Sequence, residues 1–139
     1  MVILVLDENL RLRSGTSNSH GAIKQTRSFL YVDECVEAVI RLMRNSDYNH
    51  PVNIGSEEMV TMNQLAQMII DISGKNIRIN NIFGEEFLKK YGYSCPTGVR
   101  GRNSNNDLFK MVVGWEVSQP LNLGIEKLYN WIDKKVKNV

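Results

Sequence analysis

Two short basic segments contain the residues whose types and spacing suit binding chemistry. They are Lys24, Gln25, Thr26 and Arg27 in "KQTRS", and Arg100 and Arg102 in "GVRGR". An arginine guanidinium presents a planar fork of donors that matches two phosphate oxygens, and flanking glycines let the backbone approach an anion closely. If the fold brings them together, the two segments would clamp a diphosphate. The alternative is two solvated surface loops whose arginines pair with carboxylates, and residue types alone favour this alternative.

The motifs of common catalytic and cofactor sites are missing from the sequence. It contains no GxGxxG or Walker phosphate loop, no HExxH and no GxSxG. None of the 5 tyrosines is followed four residues later by lysine, the spacing of a widespread hydride-transfer pair. Cys35 and Cys95 lie outside any metal-ligand spacing. We therefore expect no catalytic residue and no metal site in this chain.

Size and charge favour one domain, or one lobe of a larger domain, without a nucleic-acid or membrane partner. The chain has 139 residues and a formal net charge of +2, which is too small to indicate binding to nucleic acid. The apolar opening "MVILVL" is far shorter than the roughly 20 residues that span a bilayer, and it lacks the flanks of a secretory signal. Two cysteines without such a signal suit a reducing compartment, so we expect a cytoplasmic protein.

Hydrophobic periodicity predicts strands alternating with helices. The clearest signal is a capping box, in which Thr61 and Gln64 start a helix that ends at Gly74. Another helix follows Asp33, which we expect to be its N-cap. The other predicted elements are strands at 2–6, 28–32, 51–55 and 77–83 and helices at 85–91, 106–113 and 121–137. This alternation predicts an α/β fold.

Four segments, taken in order, resemble the C-terminal part of extended short-chain dehydrogenases that act on sugar nucleotides, the NAD-dependent epimerase/dehydratase family. They are "QTRSFLYVDECVEAVIRLM", "PVNIGSEEMVTMNQLAQMI", "GVRGRNSNND" and "GWEVSQPLNLGIEKLYNWI". The first segment and "PVNIG" are similar to the superfamily at large. "NIGSEEMVTMNQLA" and "GVRGRNS" are more specific and resemble the GDP-mannose 3,5-epimerase group of that family. The resemblance implies a partial Rossmann-type α/β fold.

In that family the QTR stretch and the second arginine of GVRGR contact the sugar nucleotide. The resemblance therefore implies that Gln25, Thr26, Arg27 and Arg102 bind substrate, and it makes Lys24 and Arg100 candidates for additional phosphate contacts. Full-length members bind NAD in an N-terminal Rossmann half, and they carry Tyr/Lys and Cys/Lys catalytic pairs. None of these has a counterpart in this sequence. Members are commonly homodimers.

The resemblance also implies a division of the chain. Residues 1–23 match nothing in the family and are expected to be loop or disordered, while residues 24–139 would form the C-terminal substrate-binding lobe. The stretch 84–97 is longer than the family's usual connection. We expect the chain alone to bind a GDP-mannose-like nucleotide-sugar without turning it over. The alternatives are part of a UDP-glucuronate decarboxylase or sugar-nucleotide 4,6-dehydratase, or a non-catalytic nucleotide-binding remnant.

Overall fold

The computed structural model describes residues 25–44, 47–82, 84–94 and 99–138. The described part is mixed α/β, with five helices and one three-stranded sheet in the order β2-β1-β3. The strands are β1 (Thr26–Ser28), β2 (Met59–Thr61) and β3 (Gly101–Arg102). The helices are α1 (Val32–Arg44), α2 (Met62–Ser73), α3 (Gly84–Tyr91), α4 (Asp107–Val113) and α5 (Leu121–Lys137). The α/β prediction is confirmed.

The chain divides into two compact units, each made of two stretches of sequence. The first unit draws its described residues from Met1–Thr26 and Val60–Gly101, and the second unit comprises Arg27–Met59 and Arg102–Val139. The first unit contains α2 and α3, and the second contains α1, α4 and α5. The candidate binding residues therefore fall into two groups, one in each unit.

Helix α2 begins with the capping box that the sequence predicts. The hydroxyl of Thr61 accepts a hydrogen bond from the Gln64 amide at 3.1 Å, and the Thr61 amide donates to Oε1 of Gln64 at 2.8 Å. The helix ends at Gly74, whose φ of 63° lies in the left-handed region that favours glycine. Leu65, on its first turn, is buried. Both predicted ends of the helix are thus confirmed.

Removing the capping hydroxyl should weaken α2 measurably. Thr61→Ala leaves the Gln64 amide without its acceptor and should lower the free energy of unfolding by about 1 kcal/mol. Thr61→Ser keeps the hydroxyl and should lose less than half as much. Urea unfolding followed by circular dichroism measures both values, and equal losses for the two variants would contradict the capping role.

Helix α3 lies in the long stretch 84–97 and packs through aromatic side chains. Phe87 is 3% exposed and lies against Tyr91, with 4.6 Å between ring centroids. Tyr93 meets Phe87 edge-to-face at 5.4 Å, and the buried Ile82 belongs to the same cluster. This arrangement confirms the predicted helix at 85–91 and gives the segment its own small core.

In the second unit, α1 packs against α4. Phe109 of α4 is 2% exposed and meets the Trp115 ring edge-on, and the Arg41 guanidinium of α1 lies 5.5 Å from the centre of the Trp115 ring. Lys110 of α4 bridges two carboxylates at 3.0 and 3.4 Å. Its hydrogen bond to one of them, Glu116, is the main cause of the raised pKa of Lys110.

Three strand predictions are wrong, and the reason is the same for each. In place of the predicted strand at 28–32, the strand is Thr26–Ser28, because the Thr26 amide pairs with the carbonyl oxygen of Arg100 and the chain is already helical at Val32. Residues 51–55 and the described residues 77–82 form no strand. A strand exists only where a neighbouring strand completes the ladder, and alternation in sequence does not supply that neighbour.

One predicted helix cap differs from the structure, and three other predictions concern residues outside the described ranges. Asp33 is within the first turn of α1 instead of at its N-cap, since the helix begins at Val32. The expected strand at 2–6, the expected disorder of residues 1–23, and Cys95 lie outside the described residues.

Candidate functional site

A backbone hydrogen bond joins the two basic segments within the first unit. The Thr26 amide donates to the carbonyl oxygen of Arg100 at 2.9 Å. On the other side, the carbonyl oxygen of Gln25 accepts from the Met62 amide at 3.3 Å, at the start of α2. Gln25 and Thr26 are half-buried and Arg100 is exposed. The segments are therefore adjacent although they lie far apart in sequence, and Lys24 lies outside the described residues.

The other two candidate residues, Arg27 and Arg102, belong to the second unit. They lie on β1 and β3, which are neighbours in the sheet. Arg27 is half-buried, whereas the Arg102 side chain is exposed. Two guanidinium groups on adjacent strands can present several N–H donors to one anionic ligand.

The chain after Arg102 is fixed by polar contacts within the second unit. Asn106 is only 5% exposed, and its Nδ2 donates to the carbonyl oxygen of Gly55 at 2.7 Å. Its Oδ1 accepts from the Ser104 hydroxyl at 2.6 Å. A Cβ atom placed on Gly55 would lie 2.5 Å from Cβ of Ser104, so glycine is the residue that permits this approach. The run "RNSN" is thus an ordered connection into α4.

The arginines of the second basic segment are not neutralised by carboxylates in the described part of the chain. The ion pairs there involve Arg41 with Glu37, Lys110 with two glutamates, and Lys137 with Asp133. Neither Arg100 nor Arg102 takes part in them. An exposed guanidinium without a protein carboxylate retains its donors, so the alternative of carboxylate-paired loops does not describe Arg100 and Arg102 among the described residues.

A tyrosine and a lysine lie next to each other in the second unit. Nζ of Lys127 lies 5.1 Å from the centre of the Tyr31 ring, over its face, as in a cation–π contact. Burial, and to a lesser degree the Asp33 carboxylate, raises the pKa of Tyr31. The Tyr31 side chain also lies close to Gly124, so it packs against α5.

Metal and membrane binding find no support in the described residues. They contain no group of three His, Cys, Asp or Glu side chains placed to hold a metal ion. No helix among them is both long and apolar enough to cross a membrane. The cytoplasmic location remains a prediction from the cysteine content.

Sequence reasoning missed the residues that anchor the arginine segment. The motif "PVNIG" contains Gly55, and "GVRGRNSNND" contains Ser104 and Asn106. The sequence pattern assigns none of the three a role. Asparagine is usually exposed, so the burial of Asn106 has no signal in the local sequence. The glycine of "PVNIG" was the one usable hint, because a glycine can mark a close approach of another backbone.

The sequence is similar to that of known sugar-nucleotide enzymes. No family model matches the chain. It is 44% identical over 113 residues to the GDP-mannose 3,5-epimerase of Arabidopsis thaliana, a match that covers 81% of this chain and 27% of the relative. In sequence, the chain corresponds to part of an NAD-dependent epimerase/dehydratase. This confirms the predicted family and the resemblance to GDP-mannose 3,5-epimerase.

The chain is also similar to other sugar-nucleotide enzymes. It is 33% identical over 101 residues to UDP-glucuronic acid decarboxylase 3 of Arabidopsis thaliana, covering 73% of this chain and 26% of that protein. The solved UDP-N-acetylglucosamine 4-epimerase of Methanobrevibacter ruminantium, in complex with UDP-N-acetylmuramic acid, superposes with a TM-score of 0.64 at 18% identity. That match covers 83% of this chain and 34% of the solved chain, and it shows a Rossmann-type fold.

These matches cover only part of each relative. The chain spans about a quarter of the length of the curated relatives it matches, 27% for the Arabidopsis thaliana epimerase. The homologous epimerases are NAD-dependent family members that act on small sugar-nucleotides.

Proposed function

We propose that residues 24–139 form the nucleotide-sugar-binding lobe of an NAD-dependent 3,5-epimerase, with GDP-mannose or a close analogue as ligand. The observation that carries the proposal is the 44% identity to GDP-mannose 3,5-epimerase over 81% of this chain. The family is commonly homodimeric, and we propose the same for the complete enzyme. We place the NAD-binding half and the catalytic residues outside these 139 residues.

The proposed roles follow from charge and exposure. A diphosphate carries its negative charge on several oxygens, and a guanidinium fork can donate to two of them at once. Arg102 is exposed and unpaired with any described carboxylate, so it would hold the diphosphate. Arg27 would share this role, and Gln25 and Thr26 would provide neutral donors and acceptors. Lys24 and Arg100 are proposed as additional phosphate contacts.

The strand-to-helix connections after β1 and β2, in the described part of the chain, lack the features that bind the dinucleotide. NAD pyrophosphate binds where a glycine-rich turn leads from a strand into a helix. The residues between β1 and α1 contain no glycine, and α2 follows β2 directly at Met62. We therefore assign this chain binding and orientation of the sugar nucleotide, without proton or hydride transfer. The purified chain, given NAD and GDP-mannose, should release no epimerised sugar, and detectable turnover would overturn this assignment.

Calorimetric titration of the purified chain with GDP-mannose tests the proposed ligand, with UDP-glucuronate as the comparison. We expect saturable binding with a preference for GDP-mannose. Arg102→Ala removes the proposed diphosphate donor and should raise the dissociation constant roughly tenfold, as expected for one charge-assisted contact worth about 1.4 kcal/mol.

A matched control separates this site from general attraction between an anion and a basic protein. Arg78 is also exposed and lies away from the two basic segments in sequence, so Arg78→Ala should leave the dissociation constant within about twofold. Equal losses for the two variants, or no binding by a chain shown to be folded, would contradict the proposal.

The match to UDP-glucuronic acid decarboxylase 3 favours a second candidate, the corresponding lobe of a decarboxylase. The same titration distinguishes the two, because a decarboxylase lobe should prefer UDP-glucuronate to GDP-mannose. The higher identity to the epimerase, 44% against 33%, is the reason for placing the epimerase first.

A further inference from the structure

The arginine segment ends in a small polar cluster, made of Gly55, Ser104 and Asn106, which we call the latch. We infer that Gly55 and Asn106 are positioning residues that hold Arg102 in place for its anionic ligand. The ligand part of this inference rests on the proposed function. The positional part rests only on contacts within the second unit.

Asn106 has the geometry of a fixed anchor. Its side chain is 5% exposed, and both ends of its amide are used, since Nδ2 donates to Gly55 at 2.7 Å and Oδ1 accepts from Ser104 at 2.6 Å. A buried amide satisfied at both ends has one favourable orientation, because leaving either atom unpaired away from water is costly. The backbone carbonyl of Asn106 also accepts from the Lys110 amide at 2.9 Å, in the first turn of α4.

Gly55 makes the anchor possible. An added Cβ would lie 2.5 Å from Cβ of Ser104 and 3.0 Å from its hydroxyl oxygen. The first of these distances is shorter than real Cβ contacts, so a side chain at this position would push Ser104 away. The Ser104 hydroxyl, which donates a hydrogen bond to Asn106, would move with it.

The latch lies close enough to Arg102 to determine its position. Consecutive Cα atoms are about 3.8 Å apart, so the Cα of Arg102 lies within about 8 Å of the Cα of Ser104. The residue before Arg102 is also in β3. The arginine is therefore fixed on both sides, although its side chain is exposed. Holding Arg102 in its binding position reduces the conformational entropy that is lost when the ligand binds.

A double-mutant cycle tests whether Asn106 acts through Arg102. Dissociation constants for GDP-mannose are measured for the unaltered chain, Asn106→Ala, Arg102→Ala and the double variant, at a temperature where circular dichroism shows all four folded. Asn106→Ala should weaken binding about fivefold, and the double variant should bind within about twofold of Arg102→Ala alone. Full additivity of the two losses would mean that Asn106 does not act through Arg102, and would overturn the inference.

The matched control is a neighbouring asparagine whose contacts are local. Asn105 is exposed, and its side chain bonds only to Asp107 in the described residues, at 3.0 Å to the amide and 3.2 Å to the carboxylate. Asn105→Ala should leave the dissociation constant within about twofold, since it does not touch Gly55. A loss equal to that of Asn106→Ala would assign the effect to the loop in general and overturn the specific role of the latch.

Hydrogen exchange tests the positional part without any ligand. In Asn106→Ala, amides at 102–106 should exchange at least about fivefold faster, while those of α2 in the first unit keep their rates. Unchanged exchange at 102–106 would overturn the inference. If the unaltered chain binds no GDP-mannose, the proposed function fails, and faster exchange confined to 102–106 still supports the latch.

Discussion

Gly55→Ala is expected to lower the free energy of unfolding by about 2–3 kcal/mol, the range for forcing extra atoms into a packed site. The added Cβ would lie 2.5 Å from Cβ of Ser104, so one of the two backbones must move. Such a shift also strains the bond from Asn106 to the Gly55 carbonyl, which is 2.7 Å long. Urea unfolding followed by tryptophan fluorescence measures the loss, since Trp115 lies in the same unit.

The double variant Gly55→Ala/Ser104→Gly is the decisive control for this prediction. Removing Cβ of Ser104 relieves the overlap, so the double variant should be more stable than Gly55→Ala alone. It should still fall about 1 kcal/mol short of the unaltered chain, because the Ser104 hydroxyl no longer donates to Asn106 and glycine is costly in an ordered segment. A double variant no more stable than Gly55→Ala would show that the overlap is not the cause.

Glu34→Ala is expected to cost a similar amount, about 2–3 kcal/mol, for a different reason. Oε1 of Glu34 accepts the amides of Ser118 and Gln119 at 2.7 and 2.8 Å, just before α5 begins. Hydrogen bonds to a carboxylate are stronger than those between neutral groups. Alanine removes the acceptor of both amides at once, and the entry of the chain into α5 loses its link to α1. Thermal or urea unfolding measures the loss.

Two further variants show which property of Glu34 matters. Its second oxygen, Oε2, is buried without a hydrogen-bond partner among the described residues, so the charge is not fully compensated. Glu34→Gln keeps one acceptor oxygen and should therefore lose about half as much as alanine. Glu37, on the same helix, forms an exposed ion pair with Arg41, and Glu37→Ala should cost about 0.5 kcal/mol or less. A larger loss for Glu37→Ala than for Glu34→Ala would contradict this account.

Local patterns predicted the helices well and the strands poorly. The capping box at Thr61 and the left-handed Gly74 involve neighbours in sequence, so both ends of α2 could be read directly. Strands depend on a partner from elsewhere in the chain, which explains why 51–55 is not a strand. Periodicity also does not report burial: Val36 and Met43 fall at helical spacing in α1, yet they are 52% and 76% exposed.

The candidate site, too, could be predicted from the sequence only in part. Residue chemistry identified Arg27 and Arg102 as suitable for a phosphate, and the family resemblance supplied a reason to combine their segments. Residue types alone favoured the opposite alternative, because nothing local indicates that Thr26 bonds to the backbone of Arg100. The role of Asn106 could not be predicted, since the residue it contacts lies 51 positions away.

The distance in sequence between bonded residues affects the order in which parts of the protein fold. The bond between Asn106 and Gly55 closes a loop of 51 residues, and those from Glu34 close loops of 84 and 85. Closing such loops costs chain entropy before any contact compensates for it, whereas the capping box of α2 closes over only three positions. Helix α2 can therefore form early, and the arginine segment acquires its final geometry late. Changes at Asn106 or Gly55 should act mainly by accelerating unfolding, so the segment that we propose to hold the ligand would also be among the first to come apart.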